Sequence, residues 1–290
     1  MLKNAEERTK LWRATDIGEV ELLHAKYVSY SFARHTHEGA AIGVIEDGAE
    51  RFWYHGANHV ATKGNILVFN PGEVHTGEAA DERGWTFRIF YMDARLLQRA
   101  AAEVSAQQKD VPFFREPIVR DAHLADLLLS LHRTLESGAS TLKRQSLFIW
   151  TLAQLVRKHA DDRPVQRPLG SKRPAVKLIK DYLEDRYHEN TSLDELTRLA
   201  GMSSYALIRA FRDEVGLPPH AFLNQIRIDR ARRLLRRGNT VADTAFSTGF
   251  VDQSHFTKHF KKMVGVTPGR YREHIISEKT DQPDLLVQEK

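Results

Sequence analysis

The 290-residue chain contains no cysteine. That absence excludes disulfides, thiolate-ligated metal sites and a thiol nucleophile, so any metal would need imidazole and carboxylate ligands. Long apolar runs are missing too. Nowhere do the roughly 18 successive apolar residues of a spanning helix occur, and the N-terminal MLKNAEERTKLW has no apolar core of signal-peptide type. A cytoplasmic protein with no membrane partner is expected. What is present is 41% hydrophobic residues, enough for two domains with separate cores. The net charge of +5 is compatible with an anionic partner but too modest to establish one. Its location is more informative: residues 174–276 carry 17 Lys and Arg against 12 Asp and Glu, whereas residues 1–173 carry 24 against 22 and residues 277–290 carry 2 against 4.

From about Lys26 to Met92, short β-rich runs (AKYVSYSF, AIGVIEDG, RFWYHG, NILVFN, WTFRIFYM) are broken by Gly, Pro and Asn, which predicts a small antiparallel sandwich or barrel. The period changes at Asp121. Leu124, Leu127, Leu128, Leu131 and Leu135 mark an amphipathic helix that stops at Ser137-Gly138. A second helix, Thr141 to His159, has apolar residues over more of its circumference than one core contact demands. Either two intramolecular surfaces bury it or a second subunit does, and we favour a homodimer. DDRPVQRPLGSKRP then reads as an exposed linker. The expected domains are 1–160, a linker at 161–173, an all-helical domain at 174–276 and a mobile tail at 277–290.

The helical domain repeats itself. GMSSYALIRAFRDEVGLPPHAF, Gly201 to Phe222, overlays GFVDQSHFTKHFKKMVGVTPGRY, Gly249 to Tyr271, at an offset of 49 that aligns Leu207 with Phe256, Phe211 with Phe260, Gly216 with Gly265 and Pro219 with Pro268. Each half reads as a short helix, a Gly-centred turn and a second helix, a helix-turn-helix that would present its second helix to a DNA major groove. Ser192 with Glu195 forms a capping box before the first unit, and a helix from Pro218 to about Arg237 joins the two. On the outer face the first copy offers Ser204, Tyr205, Ile208, Arg209 and Arg212; the second offers Gln253, Ser254, His255, Lys258 and Lys261. Arg can grip guanine, Gln adenine, Ile the thymine methyl, and Lys phosphate. Chance spacing would explain one such motif but not two at a fixed offset.

VADTAFSTGFVDQSHFTKHFKKMVGVTPGRYR, Val241 to Arg272, resembles the signature segment of AraC/XylS-type transcription regulators, and LTRLAGMSSYALIRAFRDEVGLPPHAFLNQIRIDRARRLL resembles that family's first helix-turn-helix and linker helix. The resemblance implies sequence-specific binding of double-stranded DNA by both units and control of transcription at bacterial promoters, with RNA polymerase as a partner of an activator. It places Tyr205, Ile208 and Arg209 on the first recognition helix and Gln253, Ser254, His255 and Lys258 on the second. Lys258 replaces an Arg common at its position.

In the N-terminal half, His35 and His37 form an HxH, and GNILVFNPGEVH supplies His75 after a Pro-Gly turn. These segments are similar to the two motifs of the cupin barrel, in whose metal-binding members three His and one Glu hold an Fe, Mn or Zn type ion. The carboxylate spacing departs from that pattern, with Glu38 directly after His37 and Glu46 far along. The reading adopted is therefore an organic-ligand pocket with no metal and no cofactor. By the period-2 rule Arg51, Trp53 and His55 share one strand face and Phe52 and Tyr54 the other. The first set, joined to His35, His37 and His75, would suit a small polar or anionic effector.

The expected fold class is thus α+β: a cupin-like β-barrel followed by helices, then an all-α domain with two helix-turn-helix units joined by a linker helix. The expected function is that of a regulator controlled by a small molecule. A metal-dependent cupin enzyme fused to a DNA-binding module is the rival, and a first domain that only dimerises is a third option.

Overall fold

The computed structural model describes residues 7–18, 20–105, 110–161, 173–264 and 266–273. The expected linker, apart from its two end residues, and the expected tail lie outside the described residues. Two compact units are formed, one mainly from residues 1–137 and 144–171 and the other mainly from 172–201 and 210–290.

Among the described residues the first unit is an antiparallel β-structure of nine strands: β1 (Arg8–Ala14), β2 (Val20–Tyr27), β3 (Ser31–His35), β4 (Ala40–Tyr54), β5 (Ala57–Thr62), β6 (Ile66–Phe69), β7 (His75–Ala79), β8 (Trp85–Met92) and β9 (Ile118–Val119). One layer runs β1-β2-β8-β4-β6-β9; the second is built from β3, β7, β4 and β5. Strand β4 belongs to both. Residues 40–48 pair with β8 and residues 49–54 with β5. The sequence runs AIGVIEDG and RFWYHG, expected as separate strands, are therefore one bent strand. The bend falls at a register shift between Ile45 and Asp47, next to Gly48. Gly48 has φ of 72°, and a Cβ there would lie 2.0 Å from the Gly84 carbonyl oxygen, so only glycine fits this corner.

The first layer is apolar on both faces, which is why its sequence lacks clean alternation. Leu22, Ile42, Val44, Ile66, Val68 and Phe90 point toward the helices α1 (Ala94–Ser105), α2 (Ala122–Glu136) and α3 (Thr141–His159). Their sequence neighbours Leu23, Ala41, Ile45, Leu67 and Ile89 point inward, where they meet Phe52, Tyr54 and Ala61 of the second layer. Helices α2 and α3 have the bounds their periodicity predicted, and Asp121 caps α2 by accepting from Leu124 N at 3.0 Å. Strand β1, most of β2 and helix α1 were not expected. Phe148, Leu152, Leu155 and Val156 of α3 belong to the core against the sheet, and the partly buried Leu147 and Ile149 pack on it.

A buried polar cluster docks α2 on the sheet. Arg88 of β8, 8% exposed, donates to Glu46 Oε2 at 3.1 Å, Glu136 Oε2 at 2.9 Å and His132 Nδ1 at 3.0 Å. Glu46 also takes Arg133 at 2.6 Å. Asn70 works in the same way elsewhere, donating to Tyr54 Oη (3.1 Å) and Phe114 O (2.8 Å) while accepting from Phe114 N at 3.0 Å. Arg88 and Asn70 are thus both matched, which is the condition for burying them without a large penalty.

The second unit contains the helices α4 (Arg173–Asp185), α5 (Leu193–Ala200), α7 (Pro219–Arg236), α8 (Val241–Ser247) and α9 (Gln253–Val264) with residues 210–215 of α6 (Ser204–Val215), and residues 268–273 are helical. Ser192 caps α5 as expected, accepting from Glu195 N at 3.2 Å. The Glu195 carboxylate, however, accepts from the Tyr182 hydroxyl and so ties α5 to α4. Arg227 of α7 is 3% exposed and donates to the carbonyls of Tyr187 (2.7 Å) and Glu189 (2.8 Å), closing the chain reversal after α4.

Candidate functional site

Two helix-turn-helix units are present. In the first, α5 ends at Gly201, in the left-handed region at φ 59°, and α6 follows. In the second, α8 ends near Gly249 (φ 77°) and Asp252 opens α9, accepting from His255 N at 2.7 Å. Leu207 and Phe256, which the repeat aligns, are both fully buried, as are Phe211 and Phe260. The repetition in sequence is thus a repetition of core positions.

The polar faces differ. On α9, Gln253, Ser254, Lys258 and Lys261 are exposed and His255 is half-buried. On α6, Arg212 is exposed and Ser204 and Arg209 are half-buried, but Tyr205 is 3% exposed and Ile208 is 1% exposed. Tyr205 is buried against Val104, Trp150 and Ala153, which belong to the same compact unit as residues 202–209.

In the first unit three histidines converge. His35 and His75 are direct register partners on β3 and β7. His37 follows β3 in a loop that the Asn70–Glu73 turn captures: Gly72 N donates to His37 O at 2.8 Å. That turn has Pro71 followed by Gly72 at φ 75°, a pairing suited to a tight reversal. One nitrogen from each of His35, His37 and His75 lies within 4.8 Å of the others. The His35 Nδ1 faces Ala33 O at 2.9 Å and the His75 Nδ1 faces Glu73 O at 3.1 Å. A carbonyl can only accept, so each Nδ1 carries a proton, and in the neutral ring the lone pair is then on Nε2. The His75 ring stacks on Phe69 with centroids 3.9 Å apart, and burial pushes it down to about 4. His37 is also lowered, by burial first and by His35 second.

The cluster lines a small cavity of about 30 Å³, shared with Glu50, Phe69, Gly77 and Tyr91. Glu50 is 7% exposed, and among the described residues its carboxylate has no hydrogen-bond or ion-pair partner. Burial pushes it up to about 8. Gly77 makes room for it, since a Cβ there would lie 2.5 Å from Glu50 Oε1. Glu50 escaped the sequence reading, although its place on the Phe52 and Tyr54 face of β4 was a usable signal. The opposite face, assigned to the pocket, is corrected. Arg51 and His55 are exposed, Arg51 lying 3.6 Å from Glu78 and His55 bonded to Glu73, while the half-buried Trp53 lies under the Arg34 guanidinium at 4.3 Å. The bulkier apolar pair Phe52 and Tyr54 takes the interior and turns its neighbours out. Beside the cluster an open groove of about 770 Å³ is lined by Leu11, Glu21, Thr36, His37, Glu38, Gly39, Tyr91, Met92 and Asp93.

Residues 17–152 match the AraC-like ligand binding domain and residues 196–274 the helix-turn-helix domain. The HTH-type transcriptional regulator YbfI of Bacillus subtilis is 32% identical over 236 residues, 81% of this chain and 85% of that protein. The chain belongs to the AraC family of helix-turn-helix transcriptional regulators. The HTH-type transcriptional activator RhaS of Escherichia coli (strain SMS-3-5 / SECEC) is 25% identical over 250 residues, covering 83% of this chain and 88% of RhaS. The regulator MtrA of Neisseria gonorrhoeae is 39% identical over 89 residues, 30% of each chain. This AraC-type protein is a DNA-binding transcriptional regulator with a ligand-binding domain, not an enzyme, so the enzymatic rival is set aside. Among the described residues no helix is long and apolar enough to cross a membrane.

Proposed function

We propose that the protein binds operator DNA sequence-specifically through both helix-turn-helix units, under control of a small molecule held by residues 1–160. The observation that carries the DNA reading is the repeat, with paired core positions and, on α9, an exposed row of Gln253, Ser254, Lys258 and Lys261. On α6 the contacts fall to Arg209 and Arg212, with Ser204 at the helix start. The flanks of residues 161–173 as domain limits are supported by the family matches, which stop at 152 and resume at 196.

The effector's place is the groove beside the histidines, whose volume suits a metabolite. Glu21, Glu38 and Asp93 on its walls favour a hydroxyl-rich or cationic molecule and oppose an anion, contrary to the chemistry that Arg51 suggested.

The test is selection of bound sequences from a random pool, repeated with variants. If both helices enter one face of the duplex, their subsites lie about 10 base pairs apart. Arg209→Ala should cost about 1–3 kcal/mol and relax base preference in one subsite, because guanidinium can grip guanine with two bonds. Lys258→Ala should weaken all sequences evenly and make the salt slope shallower by about one unit. Unchanged preferences in the Arg209 variant would refute this readout. For the effector, thermal shifts with neutral, cationic and anionic panels decide between ligand classes, since a ligand of the folded state must raise its stability.

A further inference from the structure

Beside the exposed row of α9 stands a group of imidazoles and cations. His255, Lys258, His259 and Lys262 occur at i, i+3, i+4 and i+7, so they form one stripe of the helix. The His255 and His259 rings have centroids 4.5 Å apart, and Phe250 backs them at 5.7 and 6.0 Å. His220, in the first turn of α7, joins them from the other helix-turn-helix. Burial first, and then the charges of Lys143, Arg212 and His259, push its ring down to about 3. His259 is pushed down to about 4 by burial, by His255 and by Lys143, Lys262 and Lys258. Lys143 is part of the same compact unit, and burial and its two lysine neighbours lower it in turn. The balance of charge is one-sided. Burial and Lys143 lower His255, with Arg227 and Lys258 adding to them; Asp252 opposes, but its carboxylate is already engaged in capping α9. The Nδ1 atoms of His220 and His255 are shielded from solvent and have no hydrogen-bond partner among the described residues. Unmatched buried nitrogens are costly, and a group supplying both negative charge and acceptor oxygens would relieve the cost.

We propose that His220, His255 and His259, with Lys258 and Lys262, bind a phosphate group and take up a proton as they do so. The inference rests on the reading of α9 as a DNA-contacting helix. Lys258 belongs both to the stripe and to the exposed row, so a duplex lying on that row brings its backbone over the imidazoles. His220 opens the helix that joins the two helix-turn-helix units, so a phosphate held there lies between their subsites and sets the register of both. Several oxygens on one phosphorus can be shared among rings and ammonium groups, each bond strengthened by charge. The proton follows from electrostatics. Without a ligand the rings are neutral at pH 7; a phosphate among them favours the imidazolium form and raises their pKa. Binding then takes up protons, and affinity rises as pH falls from 7.5 toward 6.

The experiment titrates the full-length protein with a labelled mixed-sequence duplex at constant ionic strength, at pH 7.5 and 6.0; binding of this kind is dominated by phosphate. In a second arm, pyrophosphate replaces DNA and thermal shift is read. Wild type should bind the duplex about 5- to 10-fold tighter at pH 6.0 for one proton taken up. His259→Gln should reduce that ratio to about 2-fold or less, and His123→Ala, a change at an exposed helix residue, should retain it. Lys262→Ala, also at an exposed position, should weaken duplex binding about 3- to 10-fold, and it keeps the test decisive if the histidine variant fails to fold, which far-UV circular dichroism reveals. Loss of the pH ratio in His259→Gln assigns the site to the DNA backbone. An unchanged ratio, with a pyrophosphate shift present in wild type and absent from His259→Gln, assigns it to a free phosphate compound. The proposal is overturned if folded His259→Gln and Lys262→Ala match wild type in both arms. If wild type binds no duplex, the DNA reading fails, and the pyrophosphate arm still decides the site.

Discussion

His132 on α2 is fully buried, set edge-on between Trp12 and Phe90 with ring centroids 4.9 Å away on each side. Its Nδ1 accepts from Arg88 at 3.0 Å and its Nε2 donates to Ile89 O at 3.3 Å, so the ring is neutral with both nitrogens used. Burial first, and the Arg88 guanidinium second, push it down to about 3. An unfolded histidine titrates near 6.5. The native state therefore refuses a proton that the unfolded chain accepts, and stability falls as pH drops through 6.5 until the folded ring itself titrates near 3. At pH 5.0 the unfolded state is favoured by about 30-fold from this residue alone, or about 2 kcal/mol; at pH 7.5 the contribution is close to zero. Replacing His132→Gln retains an acceptor for Arg88 and a donor for Ile89 O but loses two ring contacts, about 1–3 kcal/mol. The variant should be the less stable protein at pH 7.5 by that amount, and the gap should shrink by about 2 kcal/mol at pH 5.0. His24, Glu46 and Glu136 face the same cluster and are common to both proteins; Glu136, held at about 2 chiefly by its bond to Lys10, stays ionised over this range. Urea unfolding followed by tryptophan fluorescence is the assay, because all four tryptophans lie within residues 1–150. Parallel pH profiles for wild type and variant would refute the reasoning.

Gly48→Ala forces a Cβ against the Gly84 carbonyl at a positive φ, so a loss of at least about 2–3 kcal/mol is expected in the same fluorescence assay; a near-neutral result would mean the β4 corner can relax. Arg227→Met leaves the Tyr187 and Glu189 carbonyls without their buried donor, at about 1–3 kcal/mol each. Thermal melts by far-UV circular dichroism should show a lower second-unit transition, whereas an unchanged melt would mean water replaces the guanidinium. Asp121→Ala removes the α2 cap and a carboxylate that accepts from Lys158 and His159 at 3.0 Å, and it should lower stability by about 1–2 kcal/mol at neutral pH. Wild-type midpoints for this variant would show the cap to be redundant.

Where local chemistry decides, the sequence was sufficient. Helices α2, α3 and α7 follow from period and punctuation, and the cap at Ser192 forms as its side chain allows. The paired helix-turn-helix was legible because two copies carry the same apolar positions at the same spacing. Helix α1 and strands β1 and β2 were missed because their residues do not alternate or repeat clearly. In β2 both faces are covered, and a doubly covered strand has no polar side to betray its period.

The sequence by itself determined that the chain has a β-rich half and a duplicated helix-turn-helix half, since hydrophobic period, turn residues and internal repetition are properties of neighbours along the chain. Only the tertiary structure decided which face of β4 points inward, because that is settled by which side chains the rest of the barrel has room to bury. It turned Arg51, Trp53 and His55 outward, brought Glu50 to the three histidines from a position between 13 and 25 residues away from each, and left Tyr205 and Ile208 without exposed surface. A carboxylate's partners are fixed by strand register and chain crossing, and no local pattern in the sequence encodes those distances.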